Sequence, residues 1–329
     1  MNDAADNFER AADHYGGGDA CAGSGRERRI TTAGSAVFIV TALSAYGDRV
    51  FRWGTKHKHR LKPIALFAAL ILFCGGLFLS LRASPDILQR MRLGPLLVIL
   101  LGVVPVGLAI SAMDFQILAR LSQVKVRFWP AVEVTIYTRA ANMLPIPGSL
   151  AVRMAVLRER GATLRRSGGL MFLLTAIWGG VGFCFSAAWL AFQAPPVLAI
   201  SFAFIGIAIL ASCCVAVRRF KLDPTLVSFS AGLRLGFIAL DALVLMIAVR
   251  AIGVDAAYHQ TAILVVSSFI ASIVPAGLGV RETIVAFLAP IAGIDAATGF
   301  LAAAVVRFMG MGSLAMCSLM LVGLGRVRR

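Results

Sequence analysis

From Val197 to Val217 the chain carries no charged side chain, and it then meets Arg218, Arg219 and Lys221. A run this long and this apolar suits the hydrocarbon of a bilayer, where the backbone must satisfy its own polar groups, so it reads as an α-helix that crosses the membrane. The pattern recurs. Residues 63–81, 94–118, 168–192, 233–252 and 298–324 form comparable apolar runs. With 59% hydrophobic and 15% charged residues, the chain is too apolar for a soluble domain of 329 residues. The sequence therefore predicts an all-α, polytopic integral membrane protein with about six full transmembrane helices.

The formal charge of +16 raises the question of a nucleic-acid partner. The basic residues, however, cluster in short segments between apolar runs, as cytoplasmic loops do, and no nucleic-acid partner is expected. Arg49 to Lys62 precede the first span, and Arg158 to Arg166, Arg218 to Lys221 and Arg326 to Arg329 follow later ones. Both termini are accordingly expected in the cytoplasm, with residues 326–329 as a basic tail. Residues 1–60 read as a disordered, basic extension in which 30–46 is a candidate for lying on the membrane surface. His57 and His59 sit among lysines that disfavour a metal, and the six cysteines show no framework spacing, so no metal, cofactor or disulfide is expected.

One interruption stands out among the apolar runs: residues 274–282, Val-Pro-Ala-Gly-Leu-Gly-Val-Arg-Glu. Pro275 removes a backbone donor, and Gly277 and Gly279 tolerate left-handed geometry, so a helix arriving here breaks and a new one starts near Val280. At membrane depth such a break is tolerated only inside protein or beside a water-filled cavity. A second copy lies earlier, where Pro147-Gly148-Ser-Leu-Ala-Val-Arg153-Met154 aligns without gaps to Pro275-Ala-Gly-Leu-Gly-Val-Arg281-Glu282. Asp114 and Asp241 stand at nearly the same distance before the two prolines. The chain therefore reads as two repeats, about 94–217 and about 232–325, inside a transmembrane domain of residues 61–325.

Charge bias places the first interruption on the cytoplasmic side and the second on the opposite side, which makes them oppositely oriented re-entrant hairpins in an inverted repeat. Ionisable residues at that depth are costly and mark a pathway or a partner. Arg153 and Arg281 are candidate contacts for a shared anionic headgroup, since a guanidinium matches phosphate oxygens and the helix starting at Val280 points its positive end the same way. Arg139 and Asn142 are expected on the polar face of the first hairpin, as further contacts of the headgroup. For Arg281 and Glu282 the alternative is simply mutual pairing. Asp114 and Asp241 read either as ion carriers or as internal partners for an arginine such as Arg307. No Ser/His/Asp set, paired polar-loop carboxylates or phosphate-binding glycine loop occurs, so no enzyme is expected.

Residues 275–282, the earlier Leu-Pro-Ile-Pro-Gly-Ser-Leu-Ala-Val-Arg, the aspartate in 237–245 and Arg307 together resemble the lysylphosphatidylglycerol synthase transmembrane (flippase-like) family. The resemblance covers about residues 60–325. It implies an inner-membrane protein that moves a lipid between leaflets, such as a phospholipid, a hopanoid or a polyprenyl-linked glycolipid, and it adds Glu282 and Arg307 to the headgroup contacts. The soluble synthase domain of some members is not expected here. Membrane lipids are the expected partners, beside a homo-oligomer or a separate lipid-modifying enzyme. The rival expectation is a non-transporting scaffold or accessory subunit of a lipid- or glycan-modifying complex.

Overall fold

The computed structural model describes residues 73–82, 91–141, 148–192, 196–273 and 279–327. The N-terminal extension, the start of the first apolar run, Asn142, Pro147, Pro275, Gly277 and the last two residues of the tail lie outside the described residues. Eleven α-helices, one 3-10 helix (Ala289–Ala292) and no strand occur among the described residues. The α-helices are α1 (Phe73–Arg82), α2 (Leu93–Leu121), α3 (Phe128–Ala141), α4 (Gly148–Glu159), α5 (Leu164–Leu190) and α6 (Pro196–Arg219). Then follow α7 (Pro224–Ala251), α8 (Tyr258–Leu264), α9 (Val266–Ile273), α10 (Val280–Leu288) and α11 (Ala296–Val327).

Five of these, α2, α5, α6, α7 and α11, are long and apolar enough to cross a membrane. The others are short. The 14 residues of α3, the 12 of α4 and the seven to nine of α8, α9 and α10 fall well below the roughly 20 needed for a span. The expected sixth span is described only from Phe73, as the 10-residue α1.

Several elements follow directly from local chemistry. Helix α2 carries a π-helical stretch, Ile99–Val103, immediately before Pro105. Proline lacks an N–H and its ring crowds the carbonyl four residues back, and a widened turn there relieves both problems. Helix α7 starts nine residues before the expected apolar boundary at Leu233, because Asp223 caps it by accepting from the Thr225 N–H at 2.9 Å and Pro224 occupies its first turn. Gly279, at φ 81°, takes the left-handed geometry from which α10 starts, and its carbonyl accepts from the Thr283 N–H at 2.9 Å.

The order of elements around the two interruptions recurs. A long helix closes on a left-handed residue, Gln123 (φ 64°) after α2 and Gly253 (φ 91°) after α7. In both, the third residue beyond the helix hydrogen-bonds back, Val124 N–H to the Ala119 carbonyl and Val254 N–H to that of Val249. Short helices follow, then a glycine in the same geometry, Gly161 or Gly293, then another long helix.

Two apolar cores hold these groups. One joins the end of α2 to α3, α4, α5 and α6 through Phe115, Leu118, Leu157 and Leu174. The other joins the start of α2 to α7, α8, α10 and α11 through Ile99, Leu245, Ile263 and Val285. Helix α6 packs on α5 at a glycine crossing, where a Cβ on Gly206 would stand 2.9 Å from both the Cys184 nitrogen and the Gly180 oxygen. Its other side is open, with Val197, Ile200, Phe204 and Ile207 exposed. Such a face is costly in water and matches hydrocarbon.

Candidate functional site

The charged side chains separate into two populations. Asp114, Asp241, Glu282, Arg139, Arg153, Arg234, Arg281 and Arg307 are buried or half-buried, while the other Asp, Glu, Lys and Arg side chains whose surroundings are described, from Arg82 to Asp295, are exposed. Five guanidinium groups thus share the interior with three carboxylates.

In the second half the charges pair. Asp241 on α7 holds Arg281 on α10, receiving its Nη2 at 2.8 and 3.0 Å, and also accepts from the Ser268 hydroxyl on α9 at 2.7 Å. Glu282 is completely enclosed and forms an ion pair with Arg307 on α11. Neighbours in sequence, Arg281 and Glu282 diverge because adjacent side chains on a helix do not face each other. Their partners come from different helices. The α8–α9 arm is fastened to α7 besides, the Tyr258 hydroxyl donating to the Ala239 carbonyl and the Thr261 hydroxyl to that of Ala242, each at 3.0 Å.

The first half is wired differently. Asp114 on α2 pairs with Arg234 on α7 at 2.7 Å and accepts from the Ser230 hydroxyl at 2.8 Å. The carboxylate expected to mirror Asp241 is therefore taken by an arginine of the other half, and Arg307 is the partner of neither aspartate. Arg153 on α4 lies over the Phe115 ring at 5.8 Å, within electrostatic range of Asp114 and Arg234. Its Nε is buried without an acceptor. Arg139 on α3 donates to the Gly107 carbonyl and to the Ser111 hydroxyl at 3.1 Å each, and lies over the Phe237 ring at 5.7 Å. It is within range of both Asp241 and Arg153. Neither Arg139 nor Arg153 has a carboxylate partner among the described residues.

The eight charges comprise three ion pairs and two further arginines, each within electrostatic range of another member of the set. The set runs from Arg234 and Asp114 through Arg153 and Arg139 to Asp241 and Arg281, and on to Arg307 and Glu282. Among the described residues the set carries five guanidinium groups against three carboxylates. It can hold an anion; it has no unpaired carboxylate with which to take up a proton. No group of His, Cys, Asp and Glu suited to a metal ion occurs among the described residues.

Of the residues singled out in the sequence, Arg139, Arg153, Arg281, Glu282, Arg307, Asp114 and Asp241 all belong to this set. Gly148 and Gly279 stand at the starts of α4 and α10. Arg234, Ser230, Ser268 and Ser111 escaped the sequence reading. A signal for Arg234 existed: Asp-Pro at 223–224 starts α7 ten residues earlier, which places Arg234 roughly 15 Å along the helix at 1.5 Å per residue. Comparison with protein-family models and with curated proteins returns no match.

Proposed function

We propose that this protein is a lipid flippase or transporter that carries an anionic lipid between the leaflets of the inner cell membrane, with both termini cytoplasmic. The observation that carries the proposal is the surplus of shielded guanidinium groups, five against three carboxylates among the described residues. An ionisable group at membrane depth is retained against a large desolvation cost when it serves a ligand or a pathway. The short helices α3–α4 and α8–α10 act in this scheme as oppositely oriented re-entrant hairpins of an inverted repeat, supported by their lengths, their recurring order and the charge bias of the loops. The resemblance to the lysylphosphatidylglycerol synthase transmembrane family points the same way. Because each shielded carboxylate is paired with an arginine, acid–base catalysis has no free group here, and the reading is of a carrier rather than an enzyme.

Two measurements test it. The purified chain in proteoliposomes should exchange a fluorescent or isotopically marked lipid between leaflets, with the candidate chosen by lipidomics of the purified protein. A chain that retains a lipid yet exchanges none of it would instead be a scaffold or accessory subunit. Cysteine labelling should find a site beside His259 outside and one beside Arg160 inside, and labelling of both from one side would remove the inverted repeat.

A further inference from the structure

The interior charges also specify what kind of anion they suit. Asp114, Asp241 and Glu282 each neutralise one guanidinium, namely that of Arg234, Arg281 and Arg307. What remains is Arg139 and Arg153. Their present contacts are the Gly107 carbonyl, the Ser111 hydroxyl and the faces of Phe237 and Phe115, which orient a guanidinium without supplying formal negative charge. Residues 142–147 and 274–278, at the two interruptions, contain no charged residue. Both arginines are shielded, and the Arg153 Nε is buried without an acceptor, which leaves a donor for a ligand oxygen.

Building on the anionic-ligand reading above, we propose that Arg139 and Arg153 form the headgroup site and that it selects a doubly negative phosphate group, a phosphomonoester or pyrophosphate, over a singly charged phosphodiester. A monoanion would leave one shielded guanidinium uncompensated, and a cationic headgroup would add a third positive charge, whereas a dianion closes the balance. Two planar forks from two helices also match the several equatorial oxygens of a terminal phosphate better than the two free oxygens of a diester. Arg281, fixed by Asp241, positions α10 and is not a headgroup contact in this scheme.

The test uses the full chain in phosphatidylcholine nanodiscs at pH 8, doped either with phosphatidic acid, whose phosphate then carries nearly two charges, or with phosphatidylglycerol, which carries one. Native mass spectrometry should show phosphatidic acid retained at least about tenfold more strongly, as expected for one extra charge-assisted contact. Arg153→Gln should remove that preference. So should Ser111→Asp, which sets a carboxylate beside Arg139 without deleting an arginine and so separates loss of the charge surplus from misfolding. If inorganic pyrophosphate binds in calorimetry while no lipid is retained, the dianion site stands, its ligand is a soluble phosphate compound, and the lipid reading falls. Leaflet exchange of phosphatidylglycerol as fast as that of phosphatidic acid, with equal retention, would leave transport intact and overturn the dianion site. Unchanged preference in folded Ser111→Asp would overturn it too.

Discussion

The two halves begin from nearly the same sequence around an interruption, Pro147 to Arg153 and Pro275 to Arg281, and end with opposite electrostatics. In the second, Arg281 and Glu282 each find a partner on another helix, and the group is internally neutral. In the first, Met154 stands where Glu282 does, Asp114 is claimed by Arg234, and Arg153 is left over. The aspartates explain part of this. Asp241 lies ten residues before the end of α7 and Asp114 seven before the end of α2, a difference of nearly one helical turn that carries Asp114 out of register with its counterpart. Two similar stretches of sequence thus yield one half whose shielded charges are paired and one that keeps two guanidinium groups without a carboxylate among the described residues.

If the second half is a fastener, Asp241→Asn strands the Arg281 charge and should cost about 3–5 kcal/mol, the usual penalty for breaking a shielded ion pair from one side. Thermal unfolding in detergent at fixed lipid content would register it, and Asp241→Asn/Arg281→Gln should recover most of the loss. A single variant as stable as the parent would mean the pair holds nothing. Replacing Arg281 and Glu282 together is a poorer test, since it leaves Asp241 and Arg307 without these partners.

The first half should respond with the opposite sign. Removing an uncompensated charge relieves desolvation, so Arg153→Met is expected to raise stability by about 1–3 kcal/mol while abolishing lipid retention. Arg153→Lys keeps the charge but loses the fork, and exchange should fall about tenfold with little change in melting. Were Arg153→Met to melt earlier than the parent, the arginine would be a structural element and the contrast between the halves would vanish.

The caps give a smaller version of the same comparison. Gln123 adopts at φ 64° the geometry that Gly253 adopts at φ 91°. Gln123→Gly should therefore be neutral or stabilising by about 0.5 kcal/mol, and Gly253→Gln should destabilise by about 1 kcal/mol, both measurable in the same melts. Least affected will be Asp255→Asn. Its 3.5 Å pairing with Arg250 is almost wholly in solvent, and no shift in melting temperature is expected.

Much of this architecture was legible in the amino-acid order. Apolar length and local breakers are properties of short segments, so α5, α6 and α11 fall close to their expected bounds, and α10 starts at Val280 as Pro275 and Gly279 imply. The same locality marked Arg139, Arg153, Arg281, Glu282, Arg307, Asp114 and Asp241, all of which are shielded within the protein, because a charge inside an apolar run has few other places to go. It failed at α7, where the hydropathy edge at Leu233 hid a helix already running from Pro224. Only the tertiary structure decided who pairs with whom. Asp114 and Arg234 are 120 residues apart, Asp241 and Arg281 40. Charge type and spacing do not encode such choices, since they depend on which helix faces meet and on the turn of a helix at which each side chain stands. That geometry, and not the repeated motif, leaves Arg139 and Arg153 as the shielded guanidinium groups without a carboxylate among the described residues.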